Sequence, residues 1–266
     1  PHWTGCVDSV RRVSSLCVFR CIGGAPRFFH THPLSEHMDD ALLIFAKVPR
    51  PGKVKTRLTP FLSPAEAAHL YTAFLRDTLR QARSLEADVR LYLAPPLPTE
   101  GLDALPANVD LHEQEGEGLG ERMQRAFRET LENGSQRVVL MGSDHPTLPA
   151  SYLREAFRSL QDPESICVGP TEDGGFYLLG MSSLYPQLFT EMTYSHSGVL
   201  SDTLARAGGT DAELTVLPQW YDVDRPSDLR RMLADLETST AEAPNTRRIA
   251  NRLDLRDRLS DRRSTS

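Results

Sequence analysis

All three lysines of this 266-residue chain, Lys47, Lys53 and Lys55, fall within nine positions, although Lys and Arg together number 30. With Arg50 and Arg57 they place five positive charges directly after the apolar run 41–46. Pro49 and Pro51 stiffen that loop, and Gly52 allows a backbone angle or close approach that a side chain would forbid. This is the chemistry of a diphosphate cradle. The candidate phosphate or nucleotide contacts are Lys47, Gly52, Lys53, Lys55, Thr56 and Arg57, with Lys55 and Arg57 foremost; the alternative is a solvated basic loop. Gly52-Lys53 is followed by Val54, not Ser or Thr, so this is not the Walker phosphate loop, and the glycine-rich dinucleotide fingerprint is also missing.

Three acids complete the candidate site. Asp144 follows a predicted strand end and the small pair Gly142-Ser143, with Pro146 and Pro149 stopping the strand from continuing. A carboxylate delivered there can hold a divalent cation that also takes diphosphate oxygens, so Asp144 is read as catalytic and metal-binding, with Mg²⁺ or Mn²⁺ as the ion. Asp224 can add a second metal ligand; its alternative is a helix cap. Asp173 precedes Gly174 and Gly175, and can act as a base beside open backbone that holds sugar hydroxyls or an acceptor; its alternative is a plain tight turn. His145 and His196 are read as packing or hydrogen-bonding residues.

Positioning these loops is the task of an alternating strand and helix pattern. The run 41–46 is the mark of a strand buried on both faces. Ser63-Pro64-Ala65-Glu66 is a capping box with proline at the first helical position, and apolar residues from Ala67 to Ala82 then recur three or four apart. Strands are predicted at 88–94, weakly at 108–112, and at 137–141, 165–169, 176–180 and 212–217. Helices are predicted from 119 to 131, around Leu153 to Leu160, at 194–208 and at 226–236. The pattern specifies an α/β fold, a mostly parallel mixed sheet with helices on both faces. The mixture comes from 165–180, where the turn is too short for a helical crossover. Ligands in such sheets sit beyond the carboxyl ends of the strands, where the three loops should converge.

Charge and composition limit the partners. Between positions 38 and 240 there are 19 basic and 30 acidic residues, a body that repels a phosphate backbone, so nucleic-acid binding is not expected. The longest purely apolar run, Ala41 to Ala46, is far short of the roughly 20 residues that span a membrane. Four cysteines suit a reducing cytoplasm. Residues 1–37 lack sustained periodicity and are expected to be an unstructured leader, or an extension ahead of a natural start at Met38. Cys17, Cys21, His30 and His32 lack the short paired spacing of a zinc site. The folded α/β domain is expected at 38–237, and 238–266 as a flexible, Arg-rich tail or a short fringe helix.

Five segments in order resemble one family: Ala46 to Leu58 (AKVPRPGKVKTRL), 118–123 (GLGERM), 142–148 (GSDHPTL), 169–180 (GPTEDGGFYLLG) and 222–229 (DVDRPSDL). They are similar to small bacterial transferases of the glycosyltransferase-A type, related more distantly to the molybdenum-cofactor and 2-phospho-lactate guanylyltransferases. Some relatives carry an arsenosugar glycosyltransferase label. The resemblance implies a nucleotide-diphospho-sugar transferase fold, with the basic loop on the phosphates and Asp144 as the metal-binding aspartate. Classical nucleotidyltransferases open with a Gly-rich segment carrying Ser-x-Arg-Met; here a proline-stiffened lysine loop takes its place. Tyr194-Ser195-His196 stands where relatives are expected to carry Trp-Ser-Thr. The leading expectation is metal-dependent sugar transfer from a nucleotide diphosphate to a small-molecule acceptor. The alternatives are nucleotidyl transfer from an NTP to a phosphorylated acceptor, and a catalytically idle nucleotide-binding or scaffold protein.

Overall fold

The computed structural model describes residues 39–97, 105–106, 109–237 and 242–261. The expectations for the leader, including its cysteines and histidines, lie outside the described residues. Strand β1 (Asp40–Ala46) pairs in parallel with β2 (Asp88–Leu93) on one side and with β4 (Arg137–Gly142) on the other, as its uninterrupted apolar run requires. A short β3 (Asp110–Glu113) extends the parallel array beyond β2. On the far side, β6 (Phe176–Met181) runs antiparallel between β4 and β5 (Ser165–Pro170), and β7 (Glu213–Val216) lies parallel to β5. The sheet order is β3-β2-β1-β4-β6-β5-β7, with β6 alone reversed.

Alternate residues of β1 face opposite sides. Leu42, Ile44 and Ala46 pack with Leu75, Leu79 and Ala82 of α1 (Pro64–Ala82) and Leu153, Ala156 and Phe157 of α3 (Ala150–Arg158). Ala41, Leu43 and Phe45 pack with Met123, Ala126 and Phe127 of α2 (Leu119–Glu132) and Ala207 of α4 (Val199–Ala207). The capping box forms as read: Glu66 N–H donates to the Ser63 hydroxyl, and Ser63 N–H to the Glu66 carboxylate.

The outer face of α1 carries a third cluster, and here the sequence reading needs correcting. The stretch expected as a flexible tail or short fringe helix contains two helices, α6 (Pro244–Arg252) and α7 (Leu255–Asp261). Ala250, Leu255 and Leu259 are buried with Leu70, Phe74, and Leu229 and Met232 of α5 (Pro226–Glu237). The helix expected over 194–208 begins only at Val199, because Tyr194 to Gly198 form a loop with Ser195 at φ 69°. Among the described residues no helix is long and apolar enough to cross a membrane.

Candidate functional site

Parallel pairing sets the carboxyl ends of β1 and β4 side by side, since Phe45 is opposite Gly142. The basic loop therefore leaves the sheet beside the loop carrying Ser143, Asp144 and His145. Tyr71, on α1, ties the two together: its hydroxyl accepts from Lys47 N–H at 3.0 Å and shares a 2.7 Å hydrogen bond with Ser143 Oγ. Burial, reinforced by the negative charge of Asp144, pushes this phenol up to about 12, so it stays protonated as a fixed strut.

The third loop arrives from across the sheet. After β7 the chain turns back over the strand ends: Trp220 N–H donates to the Pro170 carbonyl at 3.0 Å, and Val223 N–H to the Asp144 carbonyl at 3.0 Å. That strap sets Asp222 beside His145 and Asp224 beside Asp144. Asp228 accepts from the N–H groups of Asp224 and Arg225, capping the start of α5 and leaving the Asp224 side chain free for other partners.

Lys55 is the centre of the arrangement. Its Nζ lies 2.7 Å from Asp144 Oδ1 and 2.8 Å from Asp224 Oδ1, and its side chain is only 3% exposed. The rings of Phe74 and Tyr71 stand 5.7 and 5.9 Å from the ammonium. Lys55 holds φ 48°, in the left-handed region, at the start of the 3-10 turn Thr56–Leu58; the Leu58 N–H to Lys55 carbonyl bond fixes it there. Arg57, 65% exposed on its side chain, reaches Asp224 Oδ2 at 3.3 Å. Burial alone would lower the Lys55 pKa, but the two carboxylates outweigh it and hold it above the usual lysine range. Burial likewise opposes ionisation of Asp224, and Lys55, then Arg57 and His145, overcome it and lower its pKa.

Of the predicted residues, the fold unites Lys55, Arg57, Asp144 and Asp224. Lys47, Gly52, Lys53 and Thr56 are exposed along the same loop. The 171–175 turn lies at the same edge of the sheet but outside this cluster. Asp173 Oδ1 accepts from Thr171 Oγ1 at 2.6 Å and from Gly175 N–H at 3.2 Å. The expected open backbone is not there at Gly174: at φ +89°, a Cβ on it would stand 2.0 Å from the Ser197 carbonyl oxygen. Close packing on the loop before α4 explains that glycine. The sequence reading also missed a pair: buried His145, with Nδ1 3.0 Å from Asp222 Oδ1. Both residues adjoin acids already singled out, but spacing gave no reason to join them. Tyr71 was legible only as one apolar position among many on α1.

A family model described as "Uncharacterized protein conserved in bacteria (DUF2064)" matches residues 78–196. A crystal structure from Desulfovibrio desulfuricans G20, provisionally named a nucleotide-diphospho-sugar transferase, is 32% identical, covers 83% of this chain and 98% of its own, and superposes with a TM-score of 0.76. The chain belongs to the bacterial nucleotide-diphospho-sugar transferase-like family. More distant are Rv0371c from Mycobacterium tuberculosis H37Rv (20% identity, 73% of this chain and 98% of that one, TM-score 0.48) and the inositol-1-phosphate CTP transferase from T. maritima (13%, 77% and 98%, 0.47). No curated protein sequence matches the chain.

A divalent cation suits this transferase-like site on the chemistry of its donors. Asp144 and Asp224 each set one hard carboxylate oxygen within 2.8 Å of the Lys55 ammonium, and among the described residues no group of three or more His, Cys, Asp or Glu side chains is gathered to hold a metal ion by itself. Two carboxylates that leave the remaining positions to water and substrate phosphate are the usual protein share of a Mg²⁺ site.

Proposed function

We propose that this protein transfers a sugar from a nucleotide-diphosphate donor to a small-molecule acceptor in the cytoplasm, assisted by Mg²⁺ or Mn²⁺ held by Asp144 and Asp224. The observation that carries the reading is the meeting of the lysine loop with these two aspartates at the carboxyl edge of β1 and β4. The family relationship supports the donor class.

In this reading the loop from Lys47 to Arg57 cradles the diphosphate, with Lys55 and Arg57 as its direct cationic contacts and the Gly52 and Thr56 backbone close beside them. The metal would neutralise charge on the departing diphosphate. Tyr71 ties the Lys47 backbone N–H to the Ser143 hydroxyl, so the two loops are held together and the donor is oriented before the acceptor arrives. Asp173 serves as the acceptor-side base through Oδ2, since Oδ1 is committed to its own turn, and Gly174 and Gly175 shape that turn.

The test is a panel of nucleotide sugars, nucleoside diphosphates and NTPs with Mg²⁺, Mn²⁺ or EDTA, read first by thermal shift and then by ion-exchange analysis of products. A metal-dependent shift with a nucleotide sugar, followed by release of a nucleoside diphosphate, is expected. Asp144→Asn should lower turnover by at least about 100-fold, the usual cost of losing one group that stabilises developing charge. Pyrophosphate as the product would transfer the assignment to nucleotidyl transfer. Ligand binding with no turnover across a broad acceptor set would make the domain a nucleotide-binding scaffold.

A further inference from the structure

The charges paired directly with Asp144 and Asp224 balance them. Lys55 and Arg57 face Asp144 and Asp224, two cations against two anions, so the pair of carboxylates presents no surplus negative charge to an arriving dication. The Lys55 ammonium also lies within 2.8 Å of one oxygen of each carboxylate, the place those oxygens would offer to a metal. An ammonium and a divalent cation cannot share that space. Expelling the ammonium alone would strand a buried cation between two aromatic rings, away from water and without an anion, which is costly. A diphosphate removes this obstacle, because it gives Lys55 and Arg57 a new anionic partner in their own loop.

We propose that Lys55 is a built-in counter-ion of the Asp144–Asp224 pair that makes divalent-cation binding conditional on an incoming diphosphate. The inference rests on the metal and diphosphate roles assigned above and adds an order to them. The free protein holds metal weakly; the diphosphate draws Lys55 off the carboxylates; metal and diphosphate then favour each other's binding by the same factor. Lys55 is thus a positioning residue in the empty site and a phosphate contact in the loaded one.

The decisive measurement uses Mn²⁺ alone, titrated into nucleotide-free full-length protein and followed by the electron paramagnetic resonance of free Mn²⁺. Lys55→Met is expected to bind Mn²⁺ at least tenfold more tightly than wild type. Arg57→Met, which removes an exposed cation near only one carboxylate, should change it less than threefold. Adding Asp144→Asn to Lys55→Met should abolish the gain, locating the ion. Equal affinity in wild type and a folded Lys55→Met overturns the proposal. Because Lys55→Met leaves two carboxylates without their ammonium, a second measurement uses wild type only: equilibrium dialysis at matched free Mn²⁺, with and without inorganic pyrophosphate. At least tenfold tighter Mn²⁺ retention with pyrophosphate is expected. If both bind but neither affects the other, the counter-ion role is refuted while the transferase reading stands; if neither binds, both fall.

Discussion

Asp77 gives the sharpest test of how the molecule is held together. It lies in the C-terminal third of α1 and is only 1% exposed, and its carboxylate turns to another helix. It accepts hydrogen bonds from Asn245 N–H at 3.1 Å, Asn245 Nδ2 at 2.8 Å and Thr246 N–H at 2.7 Å, all at the first turn of α6. Helix α6 has no cap of its own, because Ala243 occupies its N-cap position and Pro244 follows. Asp77 is therefore an N-cap delivered from 168 residues away. Asp77→Ala loses that cap, worth about 0.5–2 kcal/mol, and leaves the fully buried Thr246 N–H without its acceptor, at about 1–3 kcal/mol. The expected loss is roughly 2–4 kcal/mol, which for a domain of this size lowers Tm by about 5–15 °C. Urea and thermal melts would measure it. Trypsin gives the spatial readout: cleavage at Arg247, Arg248, Arg252, Arg256 and Arg258 should accelerate ahead of global unfolding, since α6 and α7 detach first. Asp77→Asn keeps one acceptor but sets an amide N–H against a backbone N–H, and should fall between wild type and alanine. A change below about 0.5 kcal/mol in Asp77→Ala, typical of an unremarkable surface site, with an unaltered trypsin pattern, would refute the reasoning.

Two further outcomes follow from the same geometry. Burial pulls the His145 pKa down, but Asp222, then Asp144 and the Tyr221 carbonyl, raise it above the ordinary 6.5; a raised histidine contributes stability below its unfolded pKa and loses it as pH climbs through the folded one. Urea midpoints of wild type should therefore fall as pH rises above about 6.5, the unfolded value, and His145→Gln should flatten that slope; an equally steep slope in the variant would remove His145 as its source. Gly174→Ala should cost roughly 2–5 kcal/mol, from a left-handed backbone angle and from a Cβ forced onto the Ser197 carbonyl, and a urea melt within about 1 kcal/mol of wild type would contradict the packing described for that turn.

Much of the fold was legible because its signals are local. The apolar run 41–46 could be satisfied only by a strand paired on both sides, and Ser63 to Glu66 carry their whole capping logic within four residues. The strand ends then pointed to the loops bearing Lys55 and Asp144. The helices α6 and α7 were not legible, because α6 buries small residues, Thr246 and Ala250, beneath a surface dense in arginine. The segment is so polar on average that it reads as a solvated tail, and it is docked through Asp77 and the apolar face of α1. Gly174 showed the opposite failure: a glycine pair before aromatics reads as open space for a ligand, when the space is filled by a neighbouring backbone.

The sequence by itself determined the alternating elements, the phosphate-suited lysine loop and the acid at the end of β4, since each depends on residues within a few positions of one another. Only the tertiary structure decided what those charges do to each other. Lys55 and Asp224 are 169 residues apart, and they meet because the chain after β7 turns back across the strand ends and is fastened through Trp220 and Val223. Coulomb energy and desolvation depend on distance in space and on burial, neither of which is written in residue order. A run of positive charges could therefore be recognised from sequence, but its pairing with two carboxylates exists only in the folded chain.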